Sequence, residues 1–248
     1  MPTISVGGKR FDCTLLIFDM DGTLIDEKSC FLSLAKARVQ AMKKVFGESV
    51  VELWSKASGV DVEADKIDMN GPLARAPRRE DLIVAATVLY LSGQRWNEAK
   101  SLAEQVYNAA DKIQASTYWA NLFPGVEDAL RKMRNAGFKL AIATNDRHVA
   151  AEDAMRTLGV HGLFDAIVGA DDVENPKPAP DMILLACERC GCPPAEAIYI
   201  GDQSVDMRAG RGTPVKALIA VRSEFVPAAE IEDLSDAVID SVGEMQVL

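Results

Sequence analysis

The chain has 248 residues, of which 48% are hydrophobic and 26% are charged, and its formal net charge is −10. This composition excludes intrinsic disorder and a collagen-like repeat, because disordered chains have too few apolar side chains to form a core. The acidic balance disfavours nucleic acid or an anionic membrane as a partner, so an anionic substrate would require a local cluster of positive charge or a bound cation.

The first predicted element is an apolar strand at 14–18, which runs directly into the sequence Asp-Met-Asp-Gly-Thr at 19–23. A continuous apolar run of this length is typical of a strand that is buried on both faces, as in a parallel sheet. Such a strand needs partners, and none follows it immediately. We therefore expect its sheet to be completed by strands from a later part of the chain.

Residues 26–122 are predicted to form an inserted helical cap. Apolar residues recur at helical spacing over 27–46, 78–91 and 96–119. A polar stretch with glycines and prolines at 58–79 predicts a loop.

Strands and helices alternate in the remainder of the chain. Strands are predicted at 139–143, 166–168, 197–200, 216–221 and 237–239, and helices at 125–135, 147–158, 180–190 and 205–211. This alternation predicts βαβ units. The expected fold class is α/β: a Rossmann-like parallel sheet core, 1–25 and 123–248, covered by helices on both faces, with an inserted all-helical cap domain, 26–122.

Polar side chains cluster after the predicted strands. They are Asp19 and Asp21, Thr144 and Asn145, Lys177 between Pro176 and Pro178, and Asp202 and Asp206. The carboxyl ends of parallel strands share one edge, so we expect these residues to meet there. Packed carboxylates repel one another, and Mg²⁺, which prefers oxygen ligands, relieves that repulsion. Together with Lys177 it would suit a phosphate, which the backbone N–H groups after Asp19, starting at Met20, could cradle.

These residues resemble a known family. The sequence at 19–24, Thr144, Lys177 and Gly201-Asp202-x-x-x-Asp206 is similar to the four motifs of the haloacid-dehalogenase-like (HAD) hydrolase superfamily. The helical insertion after the first motif resembles the branch of phosphoglycolate phosphatases and β-phosphoglucomutases. The resemblance departs at Gln203, where many relatives carry a small residue.

The resemblance implies a role for each motif residue. Asp19 would be the nucleophile that forms an aspartyl-phosphate, and Asp21 the general acid and base. Thr144, with Asn145, would bind the phosphoryl group, and Lys177 would balance its charge. The implied Mg²⁺ ligands are the Asp19 and Asp202 carboxylates and the Asp21 backbone carbonyl. Asp206 would act through a water or as an orienting group.

Several functions share these motifs. The leading hypothesis is a Mg²⁺-dependent phosphatase that acts on a small phosphorylated metabolite, and the main alternative is a phosphosugar mutase of the β-phosphoglucomutase type. A phosphonoacetaldehyde hydrolase would need a cap lysine, for which Lys28, Lys36, Lys43 and Lys44 are available. A non-catalytic binding protein would have no need for the charge cluster.

Substrate recognition is expected in the cap. Arg75, Arg78 and Arg79 could bind a second anionic group of the substrate, because the guanidinium fork suits carboxylates and phosphates. The alternative is that each is a solvated residue at a helix start. The expected assembly is a monomer or a weak homodimer.

The cysteines and the N-terminal sequence suggest a reducing compartment. Cys187, Cys190 and Cys192 are close in sequence, but an apolar helix face and the lack of a second ligand pair favour packing over a zinc site. The first six residues lack the profile of a signal peptide, and the longest apolar run, near 82–91, is shorter than the about 20 residues needed to span a bilayer. We therefore expect a cytoplasmic protein.

Overall fold

A computed structural model describes residues 1–116, 121–223 and 226–248. The chain divides into two compact units. The core unit comprises Met1–Asp26 and Asn121–Leu248, and the inserted unit comprises Glu27–Ala120. Within the described residues, no helix combines the length and apolar character needed to cross a membrane.

The core unit contains nine strands and five α-helices among its described residues. The strands are β1 (Thr3–Val6), β2 (Lys9–Asp12), β3 (Leu15–Phe18), β6 (Lys139–Ala143), β7 (Ala166–Val168), β8 (Ala197–Gly201), β9 (Ala217–Val221), β10 (Ala237–Ile239) and β11 (Gln246–Val247). The helices are α6 (Val126–Asn135), α7 (His148–Thr157), α8 (Asp181–Arg189), α9 (Ser204–Arg211) and α10 (Ala228–Glu232).

Six strands form one parallel sheet in the order β10-β9-β8-β3-β6-β7. Of these six strands β3 comes first in the chain, and it lies in the middle of the sheet. Its neighbours, β6 and β8, come more than a hundred residues later. The chain moves outward from β3 through β6 to β7 and then returns to the other side of β3 at β8. Reversals of this kind create the crevice at which α/β sheets bind ligands.

The sheet is covered on both faces. Every residue of β3, β8 and β9 is buried. Alternate residues such as Leu15, Ile17 and Tyr199 pack in one cluster with Met182 of α8 and Met207 of α9. The predicted α/β core is confirmed, and each predicted strand agrees with the structure to within one residue.

A second, antiparallel sheet of three strands, β11-β1-β2, was not predicted. Val6 pairs with Lys9, so Gly7 and Gly8 form a two-residue turn, and both have positive φ, 54° and 77°. Glycine pairs favour this hairpin turn, because it needs positive φ at both positions. The signal was present in the sequence. The sheet joins the two ends of the chain.

The inserted unit is helical apart from one hairpin. Its elements are α1 (Glu27–Phe46), α2 (Glu48–Ser58), β4 (Val60–Asp61), β5 (Lys66–Ile67), α3 (Pro72–Arg75), α4 (Arg78–Leu91) and α5 (Trp96–Ser116). The sequence prediction missed α2, although Val50, Val51 and Trp54 are buried at helical spacing. The predicted loop at 58–79 contains the β4–β5 hairpin and α3. Residues 117–119 of the last predicted helix lie outside the described residues.

A buried polar network joins the helices of the inserted unit. Arg38 of α1 forms an ion pair with Asp81 of α4, and their exposed fractions are only 3% and 2%. The Tyr107 hydroxyl of α5 donates to Asp81 Oδ1 at 3.0 Å and accepts from Trp54 Nε1 of α2 at 3.0 Å. The Arg38 guanidinium also lies 4.0 Å from the centre of the Tyr107 ring. Four helices therefore depend on one charge pair.

Replacing Asp81 by Asn should destabilise the inserted unit strongly. The Arg38 charge would remain buried without a counter-ion, which costs about 3–5 kcal/mol. The matched control is Asp111→Asn, which breaks an exposed pair with Arg78 and should cost about 1 kcal/mol or less. Urea unfolding followed by tryptophan fluorescence measures both. Equal losses in the two variants would contradict the structural role assigned to the Arg38–Asp81 pair.

Candidate active site

Three strand ends bring polar residues to one edge of the parallel sheet. Phe18 of β3 is level with Ile142 of β6 on one side and with Ile200 of β8 on the other. The polar residues that follow these positions within two residues are all buried: Asp19, Thr144 and Asp202. Parallel register thus produces the convergence that the sequence predicted.

Lys177 joins two carboxylates in this cluster. Its Nζ lies 2.7 Å from Asp19 Oδ1 and 2.7 Å from Asp206 Oδ1. The lysine is only 6% exposed. Burial alone would lower the pKa of this ammonium, but Asp19 and Asp206 raise it well above its usual value. Lys177 is therefore a fixed positive charge beside Asp19.

Asn145 holds the backbone of the lysine loop. Its Oδ1 accepts a hydrogen bond from the Lys177 N–H at 3.1 Å, and its Nδ2 donates to the Lys177 carbonyl at 3.2 Å. The Lys177–Pro178 peptide bond is cis. Binding of a phosphoryl group by Asn145 stays a prediction. The contacts in the structure give this residue a positioning role that the sequence did not reveal.

Asp206 lies at the start of α9 and is fully buried. Its Oδ1 accepts hydrogen bonds from Lys177 Nζ and, at 2.8 Å, from the Tyr199 hydroxyl. Its Oδ2 accepts from the Gln203 N–H at 2.9 Å. The sequence analysis did not select Tyr199, which lies in an apolar strand. Burial raises the pKa of the Tyr199 phenol well above its usual value, so the hydroxyl remains a donor.

Two glycines allow the carboxylates to approach the backbone. Gly22 has φ +76°, and a Cβ there would lie 2.3 Å from Asp202 Oδ2. A Cβ on Gly201 would lie 2.5 Å from the Cβ of Asp206. Asp202 Oδ1 also accepts a hydrogen bond from Thr23 Oγ1 at 3.0 Å. The first and fourth motifs are therefore in direct contact.

The site contains an excess of buried negative charge. Asp19, Asp202 and Asp206 each offer an oxygen, and these three atoms lie within 4.8 Å of one another. Burial, together with the charge on Asp206, raises the pKa of the Asp19 carboxyl to about 7, against the opposing effect of Lys177. One ammonium does not balance three carboxylates.

The donor set fits a hard divalent cation. All three ligand atoms are carboxylate oxygens, which Mg²⁺, Ca²⁺ and Mn²⁺ prefer over nitrogen or sulfur ligands. Asp206 Oδ1 already accepts two hydrogen bonds, so Asp19 and Asp202 are the better candidates for direct ligands. Among the residues that the structure describes, this is the one cluster of three or more acidic, histidine or cysteine side chains with suitable spacing.

The remaining residues of the first two motifs lie beside the cluster. Met20 is buried, and its backbone N–H donates to the Asp19 carboxylate. Asp21 is partly exposed and is not one of the three clustered carboxylates. Coordination of a metal ion by the Asp21 backbone carbonyl stays a prediction. Thr144 Oγ1 accepts a hydrogen bond from the Asp146 N–H at 3.1 Å, which stabilises the turn after β6.

The three arginines predicted to bind substrate lie in the inserted unit. Arg78 forms two hydrogen bonds to Asp111, at 2.9 and 2.6 Å. Arg79 is exposed and lies 3.7 Å from Glu80. Arg75 is exposed at the end of α3. Substrate binding by these residues stays a prediction, and the Asp111 pair gives Arg78 a structural contact.

The cysteine run is part of the hydrophobic core, as predicted. Cys187, Cys190 and Cys192 are buried free thiols in the cluster beneath the sheet. Burial raises the pKa of Cys187 to about 12 and that of Cys190 to about 11. These thiols are therefore protonated and act as small apolar side chains.

Comparison with known proteins agrees with this geometry. A family model described as haloacid dehalogenase-like hydrolase matches residues 13–212. The chain is 32% identical over 208 residues to a phosphoglycolate phosphatase from Psychrobacter arcticus, a match that covers 84% of this chain and 83% of the relative.

Two solved structures share the fold. A Thermotoga maritima protein assigned as a beta-phosphoglucomutase has a TM-score of 0.64 at 21% identity, covering 93% of this chain and 95% of that one. A HAD-superfamily hydrolase of subfamily IA from Geobacter sulfurreducens has a TM-score of 0.61 at 20% identity, covering 94% of each chain. At these identities the likeness concerns the fold alone. The family match and the Psychrobacter arcticus relative show that this chain belongs to the haloacid dehalogenase-like hydrolases, with a phosphoglycolate phosphatase among its relatives.

Proposed function

We propose that the protein is a Mg²⁺-dependent phosphatase that hydrolyses a small phosphomonoester through an aspartyl-phosphate on Asp19. The observation that carries the proposal is the Lys177 ammonium, which lies 2.7 Å from Asp19 and from Asp206 beside the third carboxylate of Asp202. A nucleophilic carboxylate, a fixed cation and an acidic cluster suited to a metal are the groups that phosphoryl transfer to an aspartate requires. The likeness to the Psychrobacter arcticus enzyme supports a phosphatase.

The reaction would proceed in two balanced steps. Lys177 donates to Asp19 Oδ1, so we assign the attack on phosphorus to Oδ2. The bond from phosphorus to the leaving oxygen breaks, and Asp21 gives that oxygen a proton. In the second step Asp21 takes a proton from water, whose oxygen displaces Asp19 from phosphorus. Inorganic phosphate leaves, and both carboxyl groups return to their starting states.

The other residues would bind and orient the phosphoryl group. The Thr144 hydroxyl is suited to donate a hydrogen bond to its oxygens, and Lys177 to offset its charge. The Met20 N–H, which donates to the Asp19 carboxylate, would exchange that acceptor for a phosphoryl oxygen. Asn145 would act by holding the lysine loop. Mg²⁺, when bound by Asp19, Asp202 and the Asp21 carbonyl, with Asp206 nearby, would neutralise negative charge between the carboxylates and the phosphoryl group.

We also propose a cytoplasmic enzyme that acts without nucleic acid or membrane. All five cysteines are free thiols, which supports a reducing compartment. The insertion would serve as the cap that selects the substrate.

Asp19→Asn should lower kcat by roughly 10³-fold or more, because the amide is a poor nucleophile at phosphorus. Release of inorganic phosphate from 4-nitrophenyl phosphate and from 2-phosphoglycolate measures the loss. The control is Asp153→Asn, which changes an exposed carboxylate of α7 and should leave kcat unchanged. Retention of more than a tenth of wild-type activity in Asp19→Asn would contradict the assignment of Asp19 as the nucleophile.

Removal of divalent cations with EDTA should abolish turnover, and Mg²⁺ should restore it, whereas Ca²⁺ should not, because its looser coordination spoils the alignment of the groups. Binding should also raise the Tm of the metal-free protein, since a ligand of the folded state stabilises it. In Asp202→Ala both the Tm shift and the Mg²⁺ response should weaken. Full turnover after dialysis against EDTA would refute the metal requirement.

Arg75→Ala should weaken kcat/KM for 2-phosphoglycolate by about tenfold, the effect of one charge-assisted contact. Turnover of 4-nitrophenyl phosphate, which has no second anionic group, should change much less. Arg78→Ala serves as a comparator because it removes the contact with Asp111. Equal losses on both substrates would show that the arginine supports the inserted unit and does not bind the substrate.

A phosphosugar assay that follows isomerisation as well as phosphate release separates a mutase from a phosphatase.

A further inference from the structure

Tyr199 is the buried residue of the site for which the reaction scheme has no role. It lies on β8, between apolar neighbours, and its ring packs in the hydrophobic cluster against α8 and α9. Its side chain is fully buried, yet its hydroxyl lies 2.8 Å from Asp206 Oδ1. Phenylalanine would fill the same volume without placing a polar atom in the core. The hydroxyl therefore contributes through its hydrogen bond.

The hydrogen bond completes the set of donors around Asp206. Oδ1 accepts from Tyr199 and Lys177, and Oδ2 accepts from the backbone N–H of Gln203. A carboxylate oxygen accepts about two hydrogen bonds, so Oδ1 has no remaining capacity. Donors on both oxygens prevent the carboxylate from rotating. Asp206 is therefore a rigid acceptor.

The rigid acceptor sets the position of Lys177. The lysine Nζ lies at equal distances of 2.7 Å from Asp206 and Asp19. Without the Tyr199 hydroxyl, Asp206 Oδ1 would accept from Lys177 without a competing donor and would attract the ammonium more strongly, while the Gln203 N–H would still hold Oδ2. Lys177 would then move away from Asp19. The distance between the cation and the nucleophile would thus depend on a hydroxyl that donates its hydrogen bond to Asp206 and not to either of them.

We propose that Tyr199 is a positioning residue, which fixes Asp206 by hydrogen bonding and thereby aims Lys177 at Asp19 and at the phosphoryl group. This inference rests on the proposed function for its catalytic consequence, but the contact itself can be tested without turnover. A merely structural role would lower stability and leave the Lys177 environment and kcat unchanged.

The test compares Tyr199→Phe with Tyr107→Phe. Both remove one hydroxyl from a buried tyrosine that donates to a buried aspartate, and Tyr107 belongs to the inserted unit. We expect Tyr199→Phe to lower kcat about tenfold with KM changed less than threefold. Tyr107→Phe should lower the Tm and leave kcat within twofold of wild type. Unchanged kcat in Tyr199→Phe at saturating substrate would overturn the proposal.

Nitrogen-15 NMR of the metal-free protein gives a readout that is independent of activity. The buried Lys177 ammonium should give a slowly exchanging signal, which Tyr199→Phe shifts and exposes to faster exchange, whereas Tyr107→Phe does not. An unmoved signal in Tyr199→Phe overturns the inference. If wild-type protein hydrolyses no phosphomonoester but the signal moves, the proposed function fails and the positioning contact stands.

A measurement on the wild type covers the case in which Tyr199→Phe does not fold. The Tyr199 hydroxyl and the Lys177 ammonium donate to the same oxygen, at 2.8 and 2.7 Å, so their protons must be close. A nuclear Overhauser effect between them is expected at low temperature. Its absence, with both signals assigned, would overturn the proposal.

Discussion

The Lys177 ammonium, buried between Asp19 and Asp206, is the interaction on which the site depends. Three carboxylates within 4.8 Å of one another could not remain ionised in the interior without positive charge. The fold supplies this positive charge from Lys177, in the loop between β7 and α8, and Asn145 fixes that loop by hydrogen bonds to the Lys177 backbone. A buried charge pair stabilises little by itself, because desolvation offsets the attraction between the partners. Its presence here is accounted for by the proposed chemistry at Asp19.

The site carries the same sign of charge as the whole chain, because three carboxylates there face one ammonium. A chain of net charge −10 would repel an anionic substrate at long range, and yet the proposed substrate is a phosphate. Attraction must therefore act over a few ångströms, through one lysine, backbone N–H groups and a cation held by the same carboxylates. This also explains why the acidic residues are concentrated where the anion would bind. In the proposed reaction they would hold the positive charge that binds it.

The inserted unit uses its charges differently. Its buried pair, Arg38 and Asp81, is balanced one to one and is enclosed by Tyr107 and Trp54. No excess charge remains in this network for a ligand, so it serves the packing of four helices. Arg78, which the sequence offered as a substrate contact, pairs with Asp111. For Arg38 and Arg78 the structure therefore gives a contact within this unit.

The sequence by itself determined the parallel sheet, the inserted helices α1, α4 and α5 and the four motifs, because apolar periodicity and residue order are local properties that can be read without coordinates. The Gly7-Gly8 hairpin was equally local and was overlooked. Only the tertiary structure decided that Tyr199 donates to Asp206 and that Asn145 clamps Lys177. These contacts depend on how far apart a strand and a helix pack and on which oxygen faces which donor. Sequence spacing carries no information on either quantity, since both are set by the packing of the whole core.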